Sequence, residues 1–554
     1  MPDRRRLEQL LRRIDGRSYP AYRDLRGAWQ LEEVLLTVDH VQGDPFAAPS
    51  RERVALATGL EQRLDLADPS VRLAAEDWLL RRFASGLRGE RRGSGKSGAL
   101  RVLRPGPEVI TRSAVVLTRD GRVEVRFAVG LPARGRRVLG HQAAELLLGD
   151  VLAAVRRLEA SSYGAAVELL EAHVRSVVIQ RGLRKQLREH GLVAFVADGS
   201  VLPRRSGVDR RPLPDAVPFE SPPSLRVTLD TPDGPISGMG VPTGITLIVG
   251  GGFHGKSTLL QALQWGHLDH VPSDGRERVV ADSHTVKVRA EDGRRVERVD
   301  ISPFLRDLPG GRSTAPFSTD DASGSTSQAA AIVEAVEGGA RLLLLDEDTS
   351  ATNLLVRDER MRALVPRERE PITPLVERIR DVSTTWGVST VFVVGGVGDF
   401  LAVADRVIAM DAFRPRDVTA DAHRLAGEPP AAPDALAPVP PRTPLQRGLE
   451  PGKIRARDDR AVRYGDSEID LTAVDQVLDG DHAYTLGCAL AFLHDELVDG
   501  RRTLTQVLDA LDAIVDDEGL AVLSPRDWPD GGLVAPRRHE VAAALNRLRT
   551  LQTR

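Results

Sequence analysis

The chain has 554 residues, a single cysteine and a formal net charge of −3 at pH 7. This length predicts about two to four domains, and the balanced charge excludes a nucleic-acid partner held by overall charge alone. The lone thiol, Cys488, excludes an internal disulfide and a cysteine zinc site, so we expect a reducing compartment. The sequence gives Cys488 no role.

Residues 1–215 are predicted to form a mixed α/β accessory domain. Helical spacing of apolar residues in LEQLLRRI and AAELLLGDVLAAVRRLEA accompanies strand-like alternation in SAVVLTRDGRVEVRFAVG. The first residues are charged and lack the apolar stretch of a secretory signal. No apolar run approaches the ~20 residues of a membrane helix. We therefore expect a cytoplasmic protein with no membrane partner.

A basic loop within this region, RGERRGSGKSG, contains a second glycine-lysine-serine sequence. Glu90 stands where the first glycine of a phosphate loop belongs, so we reject a second nucleotide site here. Two interpretations stay open. The loop is either a solvated segment or part of a phosphate-binding surface for nucleic acid, together with LPARGRRVLG. The basic residues of that surface would be Arg88, Arg91, Arg92, Lys96 and Arg101.

Residues 216–425 are predicted to form an α/β core. The short apolar strands GITLIVG, RLLLLD and STVFVVG alternate with helical segments, which is typical of a mainly parallel sheet. Residues 426–450 are rich in proline and alanine, which favours a stiff linker. Residues 451–554 carry several helical patterns and predict a small, mostly helical C-terminal domain.

The strongest motif is a phosphate loop that satisfies GxxxxGK[ST], between the strand ITLIV and the helical run LLQAL. Backbone N–H groups of such a loop surround phosphates, and the helix N-terminus adds a favourable dipole. Lys256 would reach the β- and γ-phosphates and support catalysis, and Ser257 would bind Mg²⁺. His254 is expected to pack in the loop near phosphate. The residues predicted to contact ATP are Gly250, Gly251, Gly252, Phe253, His254, Gly255, Lys256, Ser257 and Thr258.

An acidic pair follows the leucine-rich strand of RLLLLDEDTSATN. By its pattern this is a Walker B element, in which Asp346 would hold Mg²⁺ and Glu347 would act as the general base that polarises the attacking water. Such a pair is also found at an ordinary loop start. Its combination with the phosphate loop favours the catalytic interpretation.

A serine-glycine segment before the helical run AAAIVEAVEGG resembles the signature LSGGQ of ABC ATPases, and Asp346 lies 23 residues after its first serine. DEDTSATN likewise resembles the D-loop sequence DEPTSALD. Hydroxyl groups at a helix N-terminus form an anion site. This segment is too far along the chain to reach the phosphate loop of its own copy, so it suits the ATP of a second copy. We therefore expect a head-to-tail homodimer, the alternative being a flexible linker. The residues predicted to reach the partner's nucleotide are Ser323, Gly324, Ser325, Thr326 and Asn353.

With these motifs and the peptides DGRSYPAYRDLRG, VDHVQGDPFAAPSR and RRHEVAAALNRLR, the chain resembles the predicted ATPases of the ABC class, a non-transporter family. The resemblance implies a central P-loop ABC-type ATPase core, a mixed α/β N-terminal domain and a small, mostly helical C-terminal domain. It also implies ATP and Mg²⁺ as cofactors, and some relatives are linked to RNA.

The chain departs from transporter ABC domains in two places. After STVFVV, where transporters place a switch histidine, this chain has a glycine-rich segment that ends at Asp399, which becomes a candidate catalytic substitute. The Q-loop glutamine has no clear counterpart, although Glu291–Arg294 falls near its place. These departures predict ATP binding with a turnover that is low if no other group replaces the histidine.

Two functions follow from these observations. The first is an ATP-hydrolysing switch that rearranges its domains around RNA or another nucleic acid. The alternative is a slow, nucleotide-dependent protein-interaction switch without nucleic acid. A transporter subunit is disfavoured because no membrane segment is fused to the chain.

Overall fold

The computed structural model describes residues 1–90, 92–308, 310–357, 360, 364–366, 369–430 and 434–554. Two compact units are present: residues 1–178 with 518–535, and residues 179–517 with 536–554. The predicted α/β fold class is confirmed. The predicted domain limits at 215, 425 and 450 stay predictions.

The first unit is built on an antiparallel sheet. Its pairing order is Gly27–Leu31, Val34–His40, Ser50–Ala57, Arg122–Val129 and Leu100–Arg101, with Val115–Leu117 also paired to Arg122–Val129. Along Val34–His40 and Ser50–Ala57, buried and half-buried residues alternate, as expected for a sheet with one face on a core. The helices of this unit include Arg4–Ile14, Pro69–Gly86, Gly140–Glu145 and Leu152–Val155, and the long helix Ala166–Glu189 crosses into the second unit.

The second unit contains the mainly parallel sheet that the apolar runs predict. Its strands, in spatial order, are Thr285–Lys287, Leu342–Asp346, Ser389–Val393, Ile245–Val249, Arg406–Asp411 and Arg414–Asp417. The last strand is antiparallel to its neighbour, and the others are parallel. Leu343 and Leu345 face one apolar core, whereas Leu342 and Leu344 face another. A strand buried on both faces needs such a continuous apolar run.

Helices and smaller sheets surround this sheet. The helices include Lys256–Trp265, Gly324–Glu337, Thr352–Leu355, Leu375–Thr384 and Thr419–Leu425. A second, antiparallel sheet has the order Arg226–Leu229, Ile236–Pro242, Leu192–Ala197 and Val279–Ala281, and Arg294–Val299 pairs with Phe317–Ala322. Among the described residues, no helix combines the length and the apolar character needed to cross a membrane.

The C-terminal region combines a small sheet with helices. Its strands are Ile454–Ala456, Ala461–Tyr464 and Ser467–Asp470, and its helices include Gly480–Phe492, Leu504–Glu518 and Arg538–Arg547. Cys488 is buried within the first of these helices.

The proline- and alanine-rich segment before this region packs against the core at some of its described positions, whereas residues 427–429 are exposed. Leu436, Arg442 and Leu449 are buried. The guanidinium of Arg442 donates to Glu337 at 2.6 and 2.8 Å. The composition of this segment predicts a stiff extended linker. Composition alone cannot predict the contact between Arg442 and the buried carboxylate of Glu337.

Candidate active site

The phosphate loop joins the strand Ile245–Val249 to the helix Lys256–Trp265. Gly250 and Gly255 have φ values of 134° and 98°, a backbone conformation that favours glycine. A Cβ atom on Gly250 would lie 2.4 Å from the carbonyl oxygen of Met410, so the loop also has no room for a side chain there. The glycines of the motif are therefore required by the geometry of the loop itself.

Lys256 stands at the first position of the helix. Its Nζ donates to the carbonyl oxygens of Gly250, at 2.5 Å, and Gly251, at 2.9 Å. Ser257 follows it and is exposed, and Thr258 is half-buried. All the residues predicted to contact ATP from this loop thus belong to one strand-loop-helix unit, and their contact with nucleotide stays a prediction.

His254 connects the phosphate loop to the turn between the strands Arg406–Asp411 and Arg414–Asp417. The N–H of Ala412 donates to His254 Nδ1 at 3.0 Å, and the N–H of Phe413 donates to the His254 carbonyl oxygen at 3.0 Å. His254 Nδ1 also lies 3.1 Å from Asp411 Oδ1, so the ring contacts this turn at more than one atom. His254 therefore holds the loop in shape. Phe253, by contrast, is fully exposed with a φ of 65°.

Asp346 ends the strand Leu342–Asp346 and is buried. Its carboxylate accepts a hydrogen bond from the N–H of Asp348 at 3.2 Å. Burial raises the pKa of Asp346, and the nearby Lys287 and Lys256 oppose that shift. The structure therefore brings the predicted Mg²⁺ ligand within electrostatic reach of the phosphate-loop lysine. The Asp346 carboxylate and the Ser257 hydroxyl are hard oxygen ligands, which fit Mg²⁺.

Glu347 is held by backbone donors. Its Oε2 accepts hydrogen bonds from the N–H of Gly395 at 2.6 Å and the N–H of Gly396 at 3.0 Å. A Cβ atom on Gly396 would lie 3.5 Å from Glu347 Oε1. Glycine at this position therefore leaves Oε1 uncovered on that side. The two glycines follow the strand Ser389–Val393, where transporter sequences carry the switch histidine.

Asp399, the predicted substitute for that histidine, lies in the short 3-10 helix Gly398–Ala402 and is exposed. It makes no hydrogen bond or ion pair with the part of the chain that the structure describes. Its catalytic role stays a prediction that the geometry does not support. The signal that sequence reasoning missed was the glycine pair itself, Gly395 and Gly396.

Ser323 immediately precedes the helix Gly324–Glu337, here called the signature helix. Ser323 is exposed, and its Oγ lies 3.0 Å from Thr326 Oγ1 and 3.4 Å from Ser325 Oγ. The hydroxyl groups therefore cluster at the N-terminal end of a helix of four turns or so, as an anion site requires.

Gln328 links the signature helix to the D-loop. This buried side chain donates from Nε2 to Ser350 Oγ at 2.9 Å and accepts at Oε1 from the N–H of Ala351 at 2.8 Å. The hydroxyl of Ser350 in turn donates to the Asp346 carbonyl oxygen at 2.8 Å. Sequence reasoning assigned Gln328 no role. Asn353, the predicted D-loop contact, is exposed in the helix Thr352–Leu355.

Glu291, at the expected place of the Q-loop, contacts the same helix. Its N–H donates to Ser327 Oγ at 2.9 Å. Its carboxylate accepts from the Arg547 guanidinium at 2.8 Å. This segment thus connects the signature helix with the C-terminal helix Arg538–Arg547.

The basic loop of the N-terminal unit is partly neutralised. Arg92 pairs with Asp150 at 2.6 Å and with Glu145 at 3.2 Å. Arg91 lies outside the described residues. The arginines of LPARGRR, at positions 134, 136 and 137, are exposed, and so are Arg88 and Arg101, whereas Lys96 is half-buried. Exposed basic side chains are therefore present in both segments.

Three family models match successive segments of the chain. The model described as ATPase of the ABC class N-terminal matches residues 4–160. The ABC_ATPase P-loop domain matches residues 166–439, and the MRB1590 C-terminal domain matches residues 453–554.

A curated relative is the uncharacterized protein MJ1628 of Methanocaldococcus jannaschii. It is 32% identical over 256 residues, which cover 44% of this chain and 56% of the relative. The chain thus matches little more than half the length of that relative.

Two solved structures are similar over 34% of this chain. One is the ADP conformation of MJ1267, an ATP-binding cassette of an ABC transporter, with 11% identity, 88% of its own length covered and a TM-score of 0.22. The other is cbiO1 from Clostridium perfringens, part of the ABC transporter complex cbiONQ, with 16% identity, 84% covered and a TM-score of 0.21. Both TM-scores are too low to support an inference.

Proposed function

Because this chain belongs to the ATPases of the ABC class, we propose that it binds Mg-ATP, dimerises head to tail and hydrolyses ATP to rearrange its domains around RNA. One observation carries the proposal of hydrolysis. Glu347 follows Asp346 and is fixed by two backbone N–H groups, with its other oxygen available to a water.

Each step is assigned to residues of this chain. The phosphate-loop amides and Lys256 would bind the triphosphate, and Ser257 and Asp346 would hold Mg²⁺, which would supply positive charge against the phosphates. Glu347 orients the water and accepts its proton. Gln328 and Ser350 position the D-loop relative to Asp346.

The dimer is supported by the exposure of the signature serine. Ser323 lies at a helix N-terminus with its hydroxyl at the surface, where the γ-phosphate of a second copy's ATP can reach it. An ATP bound between two chains would make closure depend on nucleotide. Hydrolysis would then open the dimer again.

An RNA partner is supported by the exposed arginines at positions 134, 136 and 137 of the N-terminal unit, because guanidinium groups on one surface bind phosphates. A cytoplasmic location is proposed with it, since the single thiol of the chain forms no disulfide.

Steady-state ATPase assays with and without single-stranded RNA test this function. We expect RNA to raise turnover several-fold and the effect to weaken as salt rises. Low turnover that RNA leaves unchanged would instead support the second candidate, a slow switch that binds a protein partner. The glycine pair in place of a switch histidine favours that second candidate.

A further inference from the structure

The turn between the last two strands of the mainly parallel sheet lies directly against the phosphate loop. Its two residues are Ala412 and Phe413, and the N–H groups of both donate to His254, at 3.0 Å each. A Cβ atom on Gly255 would lie 2.7 Å from Phe413 Cδ1 and 3.2 Å from Phe413 Cε1. The Phe413 ring therefore packs on the loop at the point where the helix Lys256–Trp265 begins.

The backbone of this turn is an unusual place for an aromatic residue. Ala412 and Phe413 have φ values of 46° and 66°. Two-residue turns in which both φ values are positive favour Asn-Gly or Gly-Gly, because a Cβ atom at such a φ crowds the backbone. Residues held in this conformation cluster at functional sites. Phe413 is half-buried, so part of its side chain stays accessible to a ligand.

The order of the strands gives the direction in which a bound nucleotide runs. The phosphate loop follows Ile245–Val249, and this strand lies between Ser389–Val393 on one side and Arg406–Asp411 on the other. Glu347 and the glycines that hold it follow the strands on the first side, and Phe413 follows the strand on the second. These strands are parallel, so the residues that follow them meet at one edge of the sheet. A triphosphate that crosses the loop with its γ-phosphate at Glu347 therefore has its nucleoside on the side of Phe413.

Phe253 is a second aromatic side chain at this loop. It is fully exposed, whereas Phe413 is half-buried, with its N–H bonded to His254 and its ring packed on Gly255. A side chain that is already fixed loses less conformational entropy when a ligand binds to it. Of these two rings, Phe413 is therefore the better prepared to hold a base.

The charged groups beside the Phe413 ring already have partners within the chain. Arg414, which follows it, pairs with Glu220 at 2.8 Å. Asp411, which precedes the turn, lies 3.1 Å from His254 Nδ1. The accessible part of Phe413 thus favours a ligand that is held by its flat face, which every nucleobase has.

We propose that Phe413 stacks on the base of the nucleotide bound at the phosphate loop. This inference rests on the proposed ATP site and adds the contact for the base. Stacking on an aromatic side chain adds affinity for the nucleoside part of the ligand and leaves its phosphate contacts unchanged. The contribution of the loop and the contribution of Phe413 are therefore separable by experiment.

Calorimetric titration of the full chain with Mg-ATP and with magnesium tripolyphosphate, which has no base, tests this contact. Phe413→Ala is expected to weaken ATP binding at least about fivefold, the size of effect that loss of stacking on one base produces. The affinity for tripolyphosphate should stay at the parental level. Phe413→Tyr keeps the aromatic face and should bind ATP like the parent. The matched control is Phe46→Ala, which removes an exposed phenylalanine of the N-terminal unit and should change neither affinity.

Several results would overturn the proposal. Phe413→Ala would have to bind ATP like the parent, or to lose affinity for tripolyphosphate as much as for ATP, which would mean that the ring only supports the shape of the loop. A Phe413→Tyr protein that binds ATP as weakly as Phe413→Ala would also contradict stacking. A selective loss of ATP affinity in Phe253→Ala instead would place the base on the other ring. These results leave the ATPase proposal standing, whereas a parent chain that binds neither ligand would overturn both proposals.

Discussion

At the scale of single residues, Glu347 differs from a carboxylate that a histidine assists. Both of its hydrogen-bond donors are backbone N–H groups, of Gly395 and Gly396, and both contact Oε2. A backbone donor keeps its proton at every pH at which the protein is folded, whereas a histidine loses it near neutrality. The orientation of Glu347 should therefore not depend on pH in the physiological range.

Glu347→Gln is expected to slow hydrolysis about 10²- to 10⁴-fold, because glutamine cannot accept the proton of the attacking water. ATP should stay bound, since the phosphate loop is unchanged. Single-turnover hydrolysis and ATP titration measure the two effects. Asp348→Asn is the control, because its exposed side chain is the next carboxylate in the chain. A parental rate in the Glu347 variant would show that another group is the base.

Gly395→Pro removes the shorter of the two backbone donors, at 2.6 Å from Glu347. We expect turnover to fall at least about tenfold, with little change in ATP affinity, because a charge-assisted hydrogen bond contributes about 1.5–3 kcal/mol. Gly398→Ala is the matched control, since a Cβ there would meet no atom within 4 Å. Equal rates in both variants would contradict a positioning role for the Gly395 amide.

At the scale of elements, the signature helix, the D-loop and the strand Leu342–Asp346 form one connected unit. Gln328 contacts Ser350 and Ala351, and Ser350 contacts the carbonyl of Asp346. A displacement of the helix would therefore reach Asp346, the proposed Mg²⁺ ligand, through two side chains. This coupling is the physical route by which a partner's nucleotide could influence hydrolysis in each site.

Gln328→Leu removes both hydrogen bonds and leaves the Ser350 hydroxyl and the Ala351 amide without that partner. We expect a loss of about 1–3 kcal/mol in stability and a clear drop in ATP-dependent dimerisation and hydrolysis. ATP affinity of the separate chain should be unchanged. Thermal unfolding, sedimentation and ATP titration test the three expectations. Dimerisation at the parental level would exclude the proposed link.

The elements themselves were largely predictable, and their cross-links were not. LLLLD indicates a buried strand because every position is apolar, and the phosphate loop is recognised from spacing alone. The contact between Glu347 and Gly395 requires two strands, Leu342–Asp346 and Ser389–Val393, that are adjacent in the sheet but separate in sequence. Likewise, the burial of Arg442 depends on Glu337, a residue of a distant helix. Local sequence patterns do not predict such contacts between residues that are far apart in the chain.

At the scale of the whole molecule, the C-terminal region of the second unit contacts the ATPase core through paired charges beside the nucleotide site. Asp475 pairs with Lys287, whose strand lies next to Leu342–Asp346, and Arg547 pairs with Glu291 next to the signature helix. Such buried or half-buried pairs fix orientation, because breaking one leaves a charge without a partner. Closure on ATP should therefore be transmitted to the C-terminal region.

A lower pH should weaken the contact between the C-terminal region and the core, because His539 becomes protonated. Burial holds the pKa of His539 well below its ordinary value of 6.5, and Arg537, His284 and Arg538 lower it further. The folded chain keeps this side chain neutral, whereas the unfolded chain protonates it below pH 6.5, so stability is present above that pH and lost as the pH falls. We expect Tm to fall between pH 7.5 and pH 5.5, and to fall less in His539→Gln. Equal slopes in the two proteins would contradict this role for His539.

The mass of the Glu347→Gln protein in the presence of ATP and Mg²⁺, measured by light scattering after size exclusion, tests the shared nucleotide site most directly. A head-to-tail arrangement predicts that ATP, but not ADP, doubles the mass, with two nucleotides in each dimer. Adding Ser323→Arg should abolish the dimer and leave ATP bound. A chain that binds ATP and stays monomeric, or a Ser323→Arg protein that dimerises like its parent, would contradict a site completed by the partner.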